Sequence, residues 1–148
     1  MIKFKIDADP SRWASVKQSS MFPIMEMVDS ITLVGDVIVD ISGAKIPEES
    51  LKFHNANIPL FLTELEDFLI DLKSNDGKVA KWEFVFSPFL FGKVSNGSVL
   101  IFENENQTKQ EQSLGRFDYS DIDVIIDKIK SAVRKYGRIK RWSDVQKI

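Results

Sequence analysis

The feature that most constrains the fold of this chain is an apolar stripe between Asn57 and Ser74. Large apolar side chains recur there at spacings of three and four residues, which is typical of one face of an α-helix. They are Phe61, Leu62, Leu65, Phe68, Leu69 and Leu72. Burying six such side chains contributes on the order of 10 kcal/mol. Because Asn57 can cap and Pro59 fits a first turn, we predict a helix over 57–74 that covers a sheet.

A second stripe predicts a helix that starts near Ser120. Its apolar members are Ile122, Ile125, Ile126, Ile129, Val133 and Tyr136. Gly137 follows the stripe at the position where a helix often ends in a left-handed glycine. Acidic residues fill the amino half and basic residues the carboxyl half, an order that complements the helix dipole.

The remaining apolar segments predict β-strands. Asn96-Gly97 lies between two of them and is the strongest short-range signal for a hairpin, because both residues accept positive φ. Gly35 interrupts an apolar run as a tight turn or a bulge, and residues 44–57 read as a polar loop. The predicted strands are Ile2–Asp7, Ile31–Val34, Val37–Ile41, Lys81–Phe86, Phe89–Val94, Val99–Phe102 and Gln112–Phe117.

The order of these elements predicts an α+β fold. Strands come in runs and do not alternate with helices, so we expect an antiparallel sheet of five to six strands with the two long helices packed on it. The length of 148 residues fits one domain, 1–148, with a basic C-terminal segment at 138–148.

Composition argues against most kinds of catalytic and cofactor site. The chain has no cysteine and a single histidine, His54, so neither a disulfide nor the usual zinc cluster is available. No glycine-rich phosphate loop follows a strand, and no serine has a plausible base nearby in sequence. We therefore predict no catalytic residues, no metal site and no cofactor.

The hydropathy pattern favours a cytoplasmic protein that does not enter a membrane. No apolar run approaches the roughly 18 residues of a membrane span. The amino-terminal residues alternate charged with apolar side chains, a pattern unlike the apolar core of a signal peptide.

The aromatic run from Trp82 to Phe91 has two readings. Its large rings can line a ligand groove or anchor an interface. Alternating large apolar residues on a central strand are more often core, and that reading is favoured; Phe89 and Phe91 are then the rings closest to solvent.

Charge is distributed unevenly along the chain. Residues 128–148 carry eight Lys and Arg side chains and one acidic residue, Asp144; since the net charge is −2, residues 1–127 carry −9. On the first helix, Glu64, Asp67 and Asp71 share one face. We predict an acidic partner-binding face made of Glu64, Glu66, Asp67 and Asp71, although a solvated helix surface explains the same spacing.

The basic end supports a second hypothesis. Aromatic rings between Lys and Arg side chains are one footprint of nucleic-acid binding. The residues concerned are Arg134, Arg138, Lys140, Arg141 and Trp142. The acidic body disfavours a phosphate backbone, so docking of this segment on an acidic face, its own or that of a second copy in a homodimer, is the simpler reading.

Taken together, the elements resemble those of the small α+β immunity proteins found beside bacterial polymorphic toxins. The likeness covers amino-terminal strands, the helix from Asn57, the aromatic strand Trp82–Phe86, the Asn-Gly hairpin and a closing amphipathic helix. It implies a cytoplasmic protein that neutralises a cognate toxin domain by tight binding, often through an acidic surface on a basic nuclease.

Overall fold

A computed structural model describes residues 2–7, 9, 14–15, 31–41, 52–74, 79–84, 87–138 and 144. Within them the elements follow in the order β1 (Ile2–Asp7), β2 (Ala14–Ser15), β3 (Ile31–Thr32), β4 (Val34–Ile41), β5 (Lys52–Asn57), α1 (Ile58–Ser74), β6 (Ala80–Phe84), β7 (Ser87–Ser95), β8 (Ser98–Phe102), β9 (Gly115–Asp118) and α2 (Ile122–Gly137). Two single 3-10 turns, Gln110–Gln112 and Tyr119–Asp121, flank β9.

The strands confirm the α+β class and pair antiparallel in every described ladder. They do not lie in one sheet: β1, β4 and β5 form a three-stranded sheet with β4 in the middle, and β6 to β9 form a four-stranded meander. A two-residue ladder joins β2 to β3. The sheets divide where β5 runs directly into α1, because the helix carries the chain away from the first sheet before β6 begins.

Both helices bury the stripes that predicted them. Every member of the first stripe is buried, together with Ile58, and α2 buries four isoleucines: Ile122, Ile125, Ile126 and Ile129. α1 packs mainly on β6 and α2, and it also contacts β4, β5 and β7. A single cluster of buried side chains therefore joins both sheets to both helices.

The predicted loop over 44–57 is wrong at its carboxyl end, because β5 occupies Lys52–Asn57 and pairs with β4. The two inward residues of β5, Phe53 and Ala56, lie three positions apart and so break the period of two expected of a strand. The cause is an extra residue on β5: Gly35 pairs with Ala56 and Val37 with Phe53, so two residues of β5 lie opposite Asp36 of β4.

Gly35 lies within a strand and does not turn the chain. The expected pair Ile31–Val34 and Val37–Ile41 is instead β3 followed by the longer β4. The pairing is irregular beside Gly35, as the bulge alternative predicted, but the extra residue lies on β5. A side chain at Gly35 would collide with the carbonyl oxygen of Asp7 and with Ile58. Glycine therefore lets β4 approach both β1 and the start of α1.

The hairpin between β7 and β8 is confirmed. Ser95 pairs with Ser98, and Asn96 and Gly97 adopt φ values of 51° and 76°. These left-handed values at both central residues match the type I′ turn that the Asn-Gly pair predicts.

The end of α2 differs from its prediction. The helix begins at Ile122, after the 3-10 turn, and continues through Gly137, whose φ is not positive; Arg138 is the C-cap. The helix therefore does not end in a left-handed glycine. Residues 139–143 and 145–148 of the basic C-terminal segment lie outside the described residues.

Within the described residues, no helix combines the length and the apolar character needed to cross a bilayer.

Two glycine-to-alanine variants test the packing of α1 on the second sheet. A Cβ at Gly92 would lie 2.7 Å from Phe68 Cζ and 2.9 Å from Leu72 Cδ2, so we expect Gly92→Ala to lower the free energy of unfolding by about 1–3 kcal/mol. Gly137→Ala meets nothing closer than Val133 Cγ1 at 4.0 Å and is expected to stabilise by up to about 1 kcal/mol. Urea unfolding measures both, and equal effects would contradict the close approach at Gly92.

Candidate functional site

Three of the four predicted acidic residues lie together in a groove between α1 and β6. Glu64, Asp67 and Asp71 line one wall of the groove, which has a volume of about 390 Å³. β6 contributes Lys81 and Glu83, and Phe68 also lines the groove. We name this set of six residues the acidic groove.

The helical repeat explains why these three acids meet. Positions 64, 67 and 71 follow the i, i+3, i+7 spacing, so they form a strip beside the buried stripe of α1. Glu66 is rotated by about 160° from Glu64 around the helix axis, and it does not line the acidic groove. The predicted face of four residues is therefore divided between two sides of α1.

Glu83 is a member of the acidic groove that the sequence interpretation did not include. β6 is the first strand in the order of the second sheet, with Ala80 and Trp82 buried and Lys81 and Glu83 exposed. The alternation of charged and apolar residues along β6 predicts that Lys81 and Glu83 are exposed. It did not reveal that the charged residues of β6 would meet the acids of α1.

The acidic groove carries an excess of negative charge. Four carboxylates and one ammonium line it, which gives a formal charge of −3. Lys81 Nζ lies 2.9 Å from Glu83 Oε1, and both side chains are about half exposed or more. Such a surface pair stabilises by about 0–1 kcal/mol, and one ammonium does not balance the charge of four carboxylates.

Glu64 is the least exposed of these carboxylates. Its Oε2 atom is shielded from solvent and accepts no hydrogen bond in the described structure. Burial raises the pKa of Glu64, and the negative charges of Glu83 and Asp67 raise it further. The side chain as a whole is only partly buried, so Glu64 lies at the boundary between the core and the acidic groove.

Trp82 is the buried aromatic residue of β6 that packs against α1. Its ring stacks on Phe68 at 5.6 Å and meets Phe61 edge-on at 5.6 Å. The ring is 3% exposed, which confirms the core reading for Trp82, and its Nε1 atom has no partner in the described structure. Phe91 is partly buried; the side chains of Phe84 and Phe89, and residue Phe86, are outside the description.

A second groove lies between the two helices and has no net charge. Lys73, Asp123, Asp127 and Lys130 line it, with Ile70 and Ile126. Lys73 Nζ donates to Asp123 Oδ1 at 2.5 Å, which raises the pKa of Lys73. The Tyr119 hydroxyl donates to the Lys73 carbonyl at 3.3 Å. These contacts fasten the end of α1 to the start of α2.

The described part of the basic segment is exposed at the end of α2. Arg134 Nη2 donates to Ser131 Oγ at 3.3 Å, and Lys135 Nζ lies 5.3 Å from the centre of the Tyr136 ring. Arg138 is the exposed C-cap. The other residues predicted for this alternative, Lys140, Arg141 and Trp142, lie outside the described residues.

His54 lies apart from the acidic groove. It is exposed on β5, and its Nδ1 atom is 3.5 Å from Asp36 Oδ1 on β4. In the described portion of the chain, no group of three histidine, aspartate or glutamate side chains is arranged to hold a metal ion.

Neutralising the neighbours of Glu64 should change its proton affinity in a fixed order. We expect Glu83→Gln to lower the pKa of Glu64 more than Asp67→Asn does, because Glu83 exerts the larger charge effect. Neither variant should restore the ordinary value, because burial contributes most. Carbon-detected NMR of the side-chain carboxyl measures the titration, and Glu111→Gln, in an exposed 3-10 turn, is the control. An equal shift in the control would contradict the assignment.

The chemistry available in the acidic groove is that of charge recognition. Its carboxylates accept hydrogen bonds from ammonium and guanidinium groups, and charge-assisted bonds of this kind are about twice as strong as neutral ones. Comparisons with protein-family models, with curated proteins and with solved structures return no match to this chain.

Proposed function

We propose that this chain is a non-enzymatic binding domain whose acidic groove engages a basic surface of another protein. The observation that carries the proposal is the presence of four carboxylates and one ammonium in a single groove, with a Glu64 oxygen that lacks a donor. Lysine and arginine side chains of a partner supply the missing donors. Their positive charge offsets the mutual repulsion of Glu64, Asp67 and Asp71.

The groove residues favour binding over chemistry. Hydrolytic and transfer sites combine a nucleophile or an activated water with donors aimed at a developing negative charge. The acidic groove offers acceptors almost exclusively, and its cation, Lys81, lies against Glu83. An array of acceptors on a helix attracts cationic groups and accelerates the encounter with a positively charged protein.

The specific form of the proposal is an immunity protein that neutralises a cognate bacterial toxin in the cytoplasm. Two arguments support it: the resemblance in the order of elements that the sequence suggests, and the negative charge of the acidic groove. A basic nuclease domain is the kind of toxin that this charge complements. Since one core joins both sheets and both helices, we also propose that residues 1–148 act as one domain.

The alternative function is a structural or nucleic-acid-associated component that acts through the basic C-terminal segment. The exposed Arg134 and Arg138 at the end of α2 support it. Lys140 and Arg141 follow within a few residues. Such binding weakens steeply with salt, because counterions are released from the phosphates.

Charge reversal in the acidic groove tests the first proposal. The candidate partner to be tested is the protein encoded by the neighbouring gene, purified and titrated calorimetrically. We expect Glu64→Lys, Asp67→Lys and Asp71→Lys together to weaken binding at least about 100-fold, because lysines would face the partner's cations. The control reverses Glu103, Glu105 and Glu111, exposed residues between β8 and β9. It changes the net charge equally and should leave affinity within about threefold, the scale of an exposed charge.

Three results would contradict this assignment. Equal weakening by both triple variants would mean that net charge alone governs binding. Unchanged binding after reversal of the groove would place the partner elsewhere. A labelled oligonucleotide that binds at low salt and is released by Arg134→Glu with Arg138→Glu would support the nucleic-acid alternative.

A further inference from the structure

Glu64 occupies an unusual position in the contact between α1 and β6. It follows Phe61 by three residues and precedes Phe68 by four, so it lies on the strip of α1 that both rings share. Both rings pack on Trp82 of β6. Glu64 therefore lies beside an aromatic cluster. One oxygen of its carboxyl is shielded from water and has no hydrogen-bond donor.

The charges around this carboxyl do not compensate it. From α1, Asp67 and Asp71 line the same groove, and from β6, Glu83 and Lys81 line it. Lys81 lies 2.9 Å from the Glu83 carboxylate. An ionised group shielded from water is costly unless donors or opposite charges surround it. Within the described groove, most of the charges near Glu64 have its own sign.

We infer that Glu64 is a proton-operated switch in the packing of α1 against β6, loosening this contact when ionised and tightening it when protonated. The proton relieves two unfavourable effects together. It removes a negative charge beside Glu83 and Asp67, and it gives the carboxyl an O–H that can donate to a neighbouring carboxylate. No covalent chemistry is involved, because the proton comes from and returns to solvent.

The sign of the effect follows from proton linkage. The pKa of Glu64 is raised in the folded protein, first by burial and then by Glu83 and Asp67. The folded state therefore binds the proton more tightly than the unfolded chain. Stability from this group is complete below the unfolded value of about 4.3 and is lost as the pH rises through the folded value. At a pH above the folded pKa, the ionised carboxyl destabilises the contact.

The switch also couples to the proposed function, on which this second step rests. A cationic partner in the acidic groove favours the ionised form of Glu64, so binding should release a proton when the pH lies near the folded pKa. Acidification would then tighten the packing of the free protein and weaken its hold on a basic partner.

Urea unfolding of the full chain across pH 4.5 to 8 tests the switch without any partner. We expect Glu64→Gln to have a higher urea midpoint than the wild type at pH 8. The gap should close as the pH falls, since the wild type gains the proton that the amide replaces. Asp71→Asn is the matched control, because it removes one charge from the same groove but leaves Glu64 in place. The difference in urea midpoint between Asp71→Asn and Glu64→Gln should therefore also shrink as the pH falls.

Parallel profiles of the wild type and Glu64→Gln over this range would overturn the switch. A Glu64 carboxyl that titrates by NMR in the wild type at or below the ordinary value of about 4.3 would also overturn it. This second measurement needs no variant and applies even if Glu64→Gln does not fold. Because neither experiment includes a partner, failure of the switch is distinguishable from failure of the proposed binding function.

Discussion

The packing of Trp82 between Phe61 and Phe68 is the interaction on which the rest of the molecule depends. These rings hold α1 against the edge strand of the second sheet, at ring distances of 5.6 Å on both sides. Gly92 on the neighbouring strand permits the close approach of the helix. Once the apolar stripe of α1 is fixed in this way, its helical repeat determines where Glu64, Asp67 and Asp71 must lie. The acidic groove is therefore a geometric consequence of the core.

The features that local chemistry controls were predictable from the sequence. The stripe of α1 predicted a helix of the correct length because the spacing of three and four residues is a property of the helix itself. Asn96 and Gly97 predicted their hairpin because the turn requires positive φ at both positions, and these residues tolerate it. The shared face of Glu64, Asp67 and Asp71 was predictable for the same reason.

The features that depend on distant partners were not predictable. Among the described side chains of β5, only Phe53 and Ala56 face inward, and an extra residue between them conceals the strand pattern. The two sheets separate because α1 interrupts the strand order, which no local pattern encodes. Glu83 joins the acids of α1 through the pairing of β6 at the edge of the meander. Gly137 stays helical although its sequence position favours a left-handed end.

The position of Glu64 between the core and the acidic groove links the proposed switch to the proposed binding function. A carboxyl placed deeper would be neutral and could not attract a cation, and one placed farther out would be hydrated and would not affect the packing of α1. At the boundary it does both, because its shielded oxygen belongs to the α1–β6 contact while its charge belongs to the acidic groove. Under the proposed binding function, a basic partner would relieve the same repulsion between carboxylates that Glu64 experiences in the free protein. The proposed function would then recover on binding the free energy that the repulsion among these carboxylates costs the free protein, in line with the trade-off between stability and activity that is common at functional sites.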